Sequence, residues 1–165
     1  MKSRLRYLLS FLLIGYNSAA IAAPVMKSSV SPSALETQFI PPLLSYITHI
    51  NDSVLASIGC HYLVADPQTA SKLFTLAAAA RTDASATNGS EMNFEIRNKL
   101  IFRFEGQPDT VVRFSQKFSN LPHLLGAWNG ESTRFQKELI KHMYAVVRDA
   151  GLKQLNDKAS PSCGE

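Results

Sequence analysis

Residues 92–118, MNFEIRNKLIFRFEGQPDTVVRFSQKF, decide how this chain is read. From Met92 to Phe104 the even positions carry Met92, Phe94, Ile96, Asn98, Leu100, Phe102 and Phe104. The odd positions carry Asn93, Glu95, Arg97, Lys99, Ile101 and Arg103. Such period-two alternation predicts a strand with one buried face. Glu105-Gly106-Gln107-Pro108-Asp109 supplies a turn, and Val112, Phe114 and Phe118 share one parity in the returning strand. Setting Phe102 opposite Val112 places Leu100 against Phe114, Asn98 against Gln116 and Ile96 against Phe118. The polar interruption of each strand then meets that of the other, and Arg97 opposes Lys117 at a mild cost. A helix competes for the same residues, because Met92, Ile96, Leu100 and Phe104 also recur every four. A lone hairpin is marginal, so its apolar face must lie on helices or on further strands.

The flanking segments read as helices. Ser33-Ala34-Leu35-Glu36 fits a capping box opening a short helix that stops before Pro41-Pro42. A second helix is expected from Pro42 to about Val64, with Leu43, Ile47, Ile50, Val54 and Ile58 as its apolar stripe. Asp66 as N-cap and Pro67 at the first helical position open a third, from Pro67 to Arg81. Leu121 to Gly130 reads as an apolar loop holding the only Trp. A final helix is expected from Glu131 or Ser132 to Ala150, striped by Phe135, Leu139, Met143 and Val146, with Gly151 after its end. The resulting fold class is α+β and helix-rich. Several amphipathic helices pack on a β-hairpin or small antiparallel sheet, with one disulfide; the alternative is an all-α bundle.

The N-terminus carries an address. Lys2, Arg4 and Arg6 precede an apolar run of ten residues, Tyr7 to Tyr16, and Ala20-Ile21-Ala22 forms an A-x-A site. That is a secretory signal pattern, with cleavage expected after Ala22. Ten residues span roughly 15 Å as a helix, about half a bilayer core, so no stable membrane insertion is expected after cleavage. The expected organisation is a signal peptide over 1–22, a flexible mature N-terminus over 23–32, one globular domain over 33–155 and a polar tail over 156–165. The localisation expected is periplasmic or secreted. In an oxidising compartment the two cysteines, Cys60 and Cys163, read as a disulfide pinning that tail.

The same segment explains the charge. The chain holds 17 Lys and Arg against 13 Asp and Glu, a formal net of +4. Without Lys2, Arg4 and Arg6, 14 basic residues face 13 acidic ones. That near-neutral balance gives little attraction for phosphate. Arg97, Lys99, Arg103 and Arg113 also fall opposite most of the aromatics rather than among them. No nucleic-acid partner is expected.

No phosphate loop, nucleotide fingerprint, nucleophile elbow, zinc-protease helix or C-x-x-C motif occurs. His49, Asp52 and Ser53 could share a helix face, and Glu138 and His142 are one turn apart. Either set needs partners from elsewhere to do acid–base or metal work. No catalytic residue, metal ligand or cofactor is assigned. Leu124, Leu125 and Trp128 form the candidate binding patch, since Trp is enriched at interface hot spots. The expected function is an exported binding or accessory protein: inhibitor or immunity type, secretion accessory, or chaperone. It would act by contact with another protein. The alternative is a small exported hydrolase with a His-based site.

Overall fold

A computed structural model describes residues 30–41, 44, 49–82, 94–116, 120–149, 153–154 and 163. The elements follow as β1 (Ala34–Phe39), α1 (Asp52–Ile58), β2 (Cys60–Val64), α2 (Pro67–Ala80) and β3 (Arg81–Thr82). They continue as β4 (Asn98–Arg103), β5 (Thr110–Phe114), β6 (Leu124–Trp128), β7 (Glu131–Phe135), α3 (Glu138–Asp149) and β8 (Lys153–Gln154). The strands form one antiparallel sheet in the order β3-β7-β6-β5-β4-β1-β2-β8, with β3 and β8 only two residues each.

Sheet, not helix, dominates, which corrects the helix-rich expectation and excludes the all-α bundle. The capping-box segment is β1, a strand in the interior of the sheet. Leu35, Thr37 and Phe39 point to one face, and the Ser33 amide and hydroxyl both donate to the Arg103 carbonyl. Of the helix expected over 42–64, only Asp52–Ile58 is helical among the described residues. It ends at Gly59, whose backbone is extended (φ −73°, ψ 160°) while its amide still donates to the Leu55 carbonyl, and a Cβ there would sit 2.5 Å from that carbonyl oxygen. Cys60–Val64 then alternates as β2. The last helix starts at Glu138, six or seven residues later than the expected Glu131 or Ser132, since Glu131–Phe135 is a strand. The apolar loop contains strand β6. The expected α2 forms as read, with the Asp66 carboxylate accepting from Gln68 and Thr69 amides and Pro67 in its first turn.

The expected hairpin is β4–β5, but its register is two residues from the one predicted. Phe102 faces Thr110, Leu100 faces Val112 and Asn98 faces Phe114. A shift of two preserves the buried face, so patterning alone cannot distinguish the registers. A tighter turn around Gly106 (φ +68°) selects the observed one, and the Asn98 amide donates to the Ser115 carbonyl. Arg97 is buried, ion-paired to Glu95 and bonded to the Leu44 carbonyl; Lys117 lies outside the described residues.

α2 leaves β2 and leads to β3 at the far edge; α3 leads from β7 back to β8. The two helices pack together on one face of the sheet. Leu73 and Ala77 of α2 and Leu139 and Met143 of α3 bury against Leu35, Leu100, Phe102, Val112, Phe114 and Phe135. A smaller cluster of Ile40, Ile50 and Leu55, flanked by Val54, Ile58 and Ile96, holds α1 at one end. Cys60 and Cys163 form a disulfide with Cα atoms 5.6 Å apart. Among the described residues no helix is long and apolar enough to cross a membrane. The signal pattern over 1–22 lies outside the described residues, as does most of the expected tail.

Candidate functional site

The β6–β7 hairpin turns through Asn129 (φ 50°) and Gly130 (φ 88°). Two successive positive φ values make the primed turn that matches strand twist, and Asn-Gly is its favoured pair. The Asn129 side chain accepts from the Val111 amide at 2.8 Å, and the Asn129 amide donates to the Val111 carbonyl at 2.8 Å. This ties the turn to β5 and fixes Trp128 just before it.

Trp128 is half-buried on the helix-covered face. Its ring centroid lies 5.7 Å from that of Phe74 on α2. Phe74 also meets Phe102 at 5.1 Å and Phe104 at 5.5 Å, both near edge-to-face. Phe74, Phe104 and Trp128 retain solvent exposure, so three chain segments assemble one aromatic patch. The Arg81 guanidinium lies 5.8 Å from the Trp128 ring centroid, within cation–π range, and approaches Glu131 at 3.5 Å. The Glu131 side chain is 78% exposed, so this rim contact is loose. Such a patch can receive an apolar, aromatic or cationic side chain and offers one cation and one carboxylate at its rim.

The three residues nominated from sequence do not form one surface. Leu124 is fully buried opposite Phe135, because it shares the core-facing parity of β6. Leu125 points to the other face, opposite Arg134. Only Trp128 belongs to the aromatic patch. Phe74, Phe104, Arg81 and Glu131 were missed. The Asn129-Gly130 pair could have signalled the hairpin that carries Trp128 and Glu131; nothing local signals that Phe74 joins them.

The opposite face of the sheet carries charge. Across six strands one row reads His61, Gln38, Lys99, Arg113, Ala127 and Ser132. Lys99 and Arg113 stand directly opposite each other, a repulsive arrangement relieved by Asp52 of α1. The Asp52 carboxylate accepts from Lys99 at 2.8 Å and from Arg113 at 2.8 and 3.0 Å. Burial raises the Asp52 pKa, but hydrogen bonds from Arg113 and Lys99 outweigh it and hold the carboxyl below its ordinary value. Beside this group, Glu36 accepts from Arg103 at 2.8 Å and from the Gln38 amide at 2.8 Å, while Arg103 also pairs with Asp109. Glu36 is likewise held low: burial opposes, and the Arg103 and Gln38 hydrogen bonds prevail.

The groups considered for catalysis are spread over the molecule. His49 and Ser53 are exposed, and Asp52 is engaged by Lys99 and Arg113. Glu138 and His142 are exposed on α3, where His142 lines a shallow groove with Lys72 and Asp149. Among the described residues no three His, Cys, Asp or Glu gather as a metal-holding group. No family model, curated protein or solved structure matches the chain.

Proposed function

We propose that this chain is an exported binding protein of the periplasm or extracellular space that acts by contact with another protein. Its class is that of inhibitors, immunity-type proteins, secretion accessories and chaperones. The observation that carries the reading is the half-exposed Phe74–Phe104–Trp128 patch, with Arg81 and Glu131 at its rim. Aromatic side chains and arginine are the residue types that dominate interface energy. The signal pattern over 1–22 and the Cys60–Cys163 disulfide support export. In this reading residues 33–155 fold as one unit after cleavage behind Ala22.

The test is site-specific photocrosslinking of the chain expressed with its own leader in its source cells. A crosslinker replacing Glu131 should trap a defined partner, and Trp128→Ala or Phe104→Ala should abolish that adduct while circular dichroism stays unchanged. A crosslinker replacing His142 serves as the control. Adducts identical at both positions, or unchanged by Trp128→Ala, would refute the assignment.

A further inference from the structure

The arginines of the sheet are held in different ways. Arg103 of β4 is gripped by two carboxylates, Glu36 at 2.8 Å and Asp109. Arg113 of β5 bonds both oxygens of Asp52, at 3.0 and 2.8 Å. Arg97 pairs with Glu95 at 3.0 Å and donates to the Leu44 carbonyl. Arg81, the first residue of β3, approaches the Glu131 carboxylate only to 3.5 Å. Charge-assisted hydrogen bonds run about 2.7–2.9 Å, so this contact uses little of the guanidinium's capacity to donate. The two side chains are 36% and 78% exposed.

What positions Arg81 is the Trp128 ring, whose centroid lies 5.8 Å from its guanidinium carbon. The ring attracts the cation's charge, whereas a carboxylate takes its N–H groups, so both can be engaged at once. The position of Arg81 decides what else can approach. A second cation brought to Trp128 meets the first at close range and is repelled. A carboxylate is attracted there, and Glu131 gives way at little cost because its head is already in water. Beside this charge Phe74, Phe104 and Trp128 keep exposed apolar surface, with Phe74 centred 5.5 Å from Phe104 and 5.7 Å from Trp128. An apolar seat and an under-used guanidinium thus lie side by side.

We propose that the partner docks here through an acidic segment, one in which an aromatic or branched aliphatic side chain adjoins an Asp or Glu. The apolar side chain seats on Phe74, Phe104 and Trp128. The neighbouring carboxylate displaces Glu131 and accepts two parallel N–H groups from Arg81, the arrangement that suits a planar guanidinium. A basic segment is disfavoured by the same cation. The inference rests on the proposed function, since it names the chemistry of the partner that reading requires.

The chain has a single tryptophan, so Trp128 emission reports directly on the patch. The test titrates the oxidised chain with three peptides blocked at both ends: acetyl-Gly-Asp-Phe-Gly-amide and its analogues with Asn or Lys in place of Asp. The Asp peptide should change the emission saturably and bind about five-fold tighter than the Asn peptide, with the Lys peptide weaker still. High salt should narrow that gap. Arg81→Gln, with its dichroism unchanged, should equalise the Asp and Asn peptides. Equal binding of all three peptides to the wild type overturns the inference. So does a preference that survives Arg81→Gln, and so does an emission indifferent to every peptide. The photocrosslinking experiment judges the patch separately. A Trp128-dependent adduct alongside peptides bound without acid preference refutes the acidic partner and leaves the docking surface standing.

Discussion

Under α2 and α3 the strands present Leu35, Leu100, Phe102, Val112, Phe114 and Phe135, all without solvent exposure. The alternate positions of the same strands present Glu36, Lys99, Arg103 and Arg113 on the other face. Burying one aromatic side chain removes roughly 150–250 Å² from water, worth several kcal/mol at about 25 cal/mol per Å². A part-exposed ion pair contributes at most about 1 kcal/mol. The covered face therefore holds the fold, and the ion pairs of the charged face add little to its stability. α1 serves the charged face, bringing Asp52 between two cations that would otherwise repel.

Substitutions can test that asymmetry. The largest effect should come from Cys163→Ser, which unties the covered face from the C-terminus. The bridge spans 103 residues, and chain-entropy reasoning assigns a loop of that size about 4–5 kcal/mol. Urea titration of the oxidised wild type and the variant measures it; a loss under 1 kcal/mol would show that the unfolded chain is already constrained. Phe114→Ala should cost about 3–5 kcal/mol by the same titration. A smaller loss would mean that the core closes around the gap.

Gly126→Ala should cost about 1–3 kcal/mol through overpacking. Its Cβ would lie 2.4 Å from the Arg113 carbonyl and 2.6 Å from the Phe135 ring. A neutral result in thermal unfolding would require β6 to shift away from β5. Asp52→Asn, on the charged face, should cost no more than about 1 kcal/mol.

The two faces should also differ in their pH response. Asp52 and Glu36 have folded pKa values below their ordinary ones, so their contribution is present above about pH 4 and fades as pH falls through the folded values. Tyr144 packs edge-on against Phe39 on the covered side, and burial pushes its hydroxyl up to about 12. Its contribution is complete below about pH 10 and is lost as pH rises toward 12. Urea midpoints from pH 2 to 11 should fall at both ends. Asp52→Asn with Glu36→Gln should flatten the acid limb alone.

What could be read from the sequence follows the range of the interactions. α2 was legible because Asp66 and Pro67 act on their immediate neighbours. The buried parity of β4 and β5 was legible because alternation is local, while their register was not, because it depends on the turn around Gly106. β1 was misread because Ser33 and Glu36 satisfy a helix-start pattern. In the fold they bond and pair across the sheet to Arg103 instead. β2 was misread because Ile58 and Tyr62 keep helical spacing across Gly59. Trp128 was legible as a surface candidate by residue type. Its partners Phe74 and Phe104 come from distant segments, and Leu124 was misassigned because the strand period of β6 was not recognised.

The position of β1 also governs the order of assembly. The first strand lies inside the sheet, and its partners in β4 lie 59 residues away for Phe39–Asn98 and 69 for Ala34–Arg103. A chain emerging from the ribosome cannot close that ladder until residue 103 is available. Pairings of such long range fold on the millisecond-to-second scale rather than in microseconds. β1 can pair with β2 once residue 64 has emerged, but its other side stays open until β4 arrives, about forty residues later in synthesis.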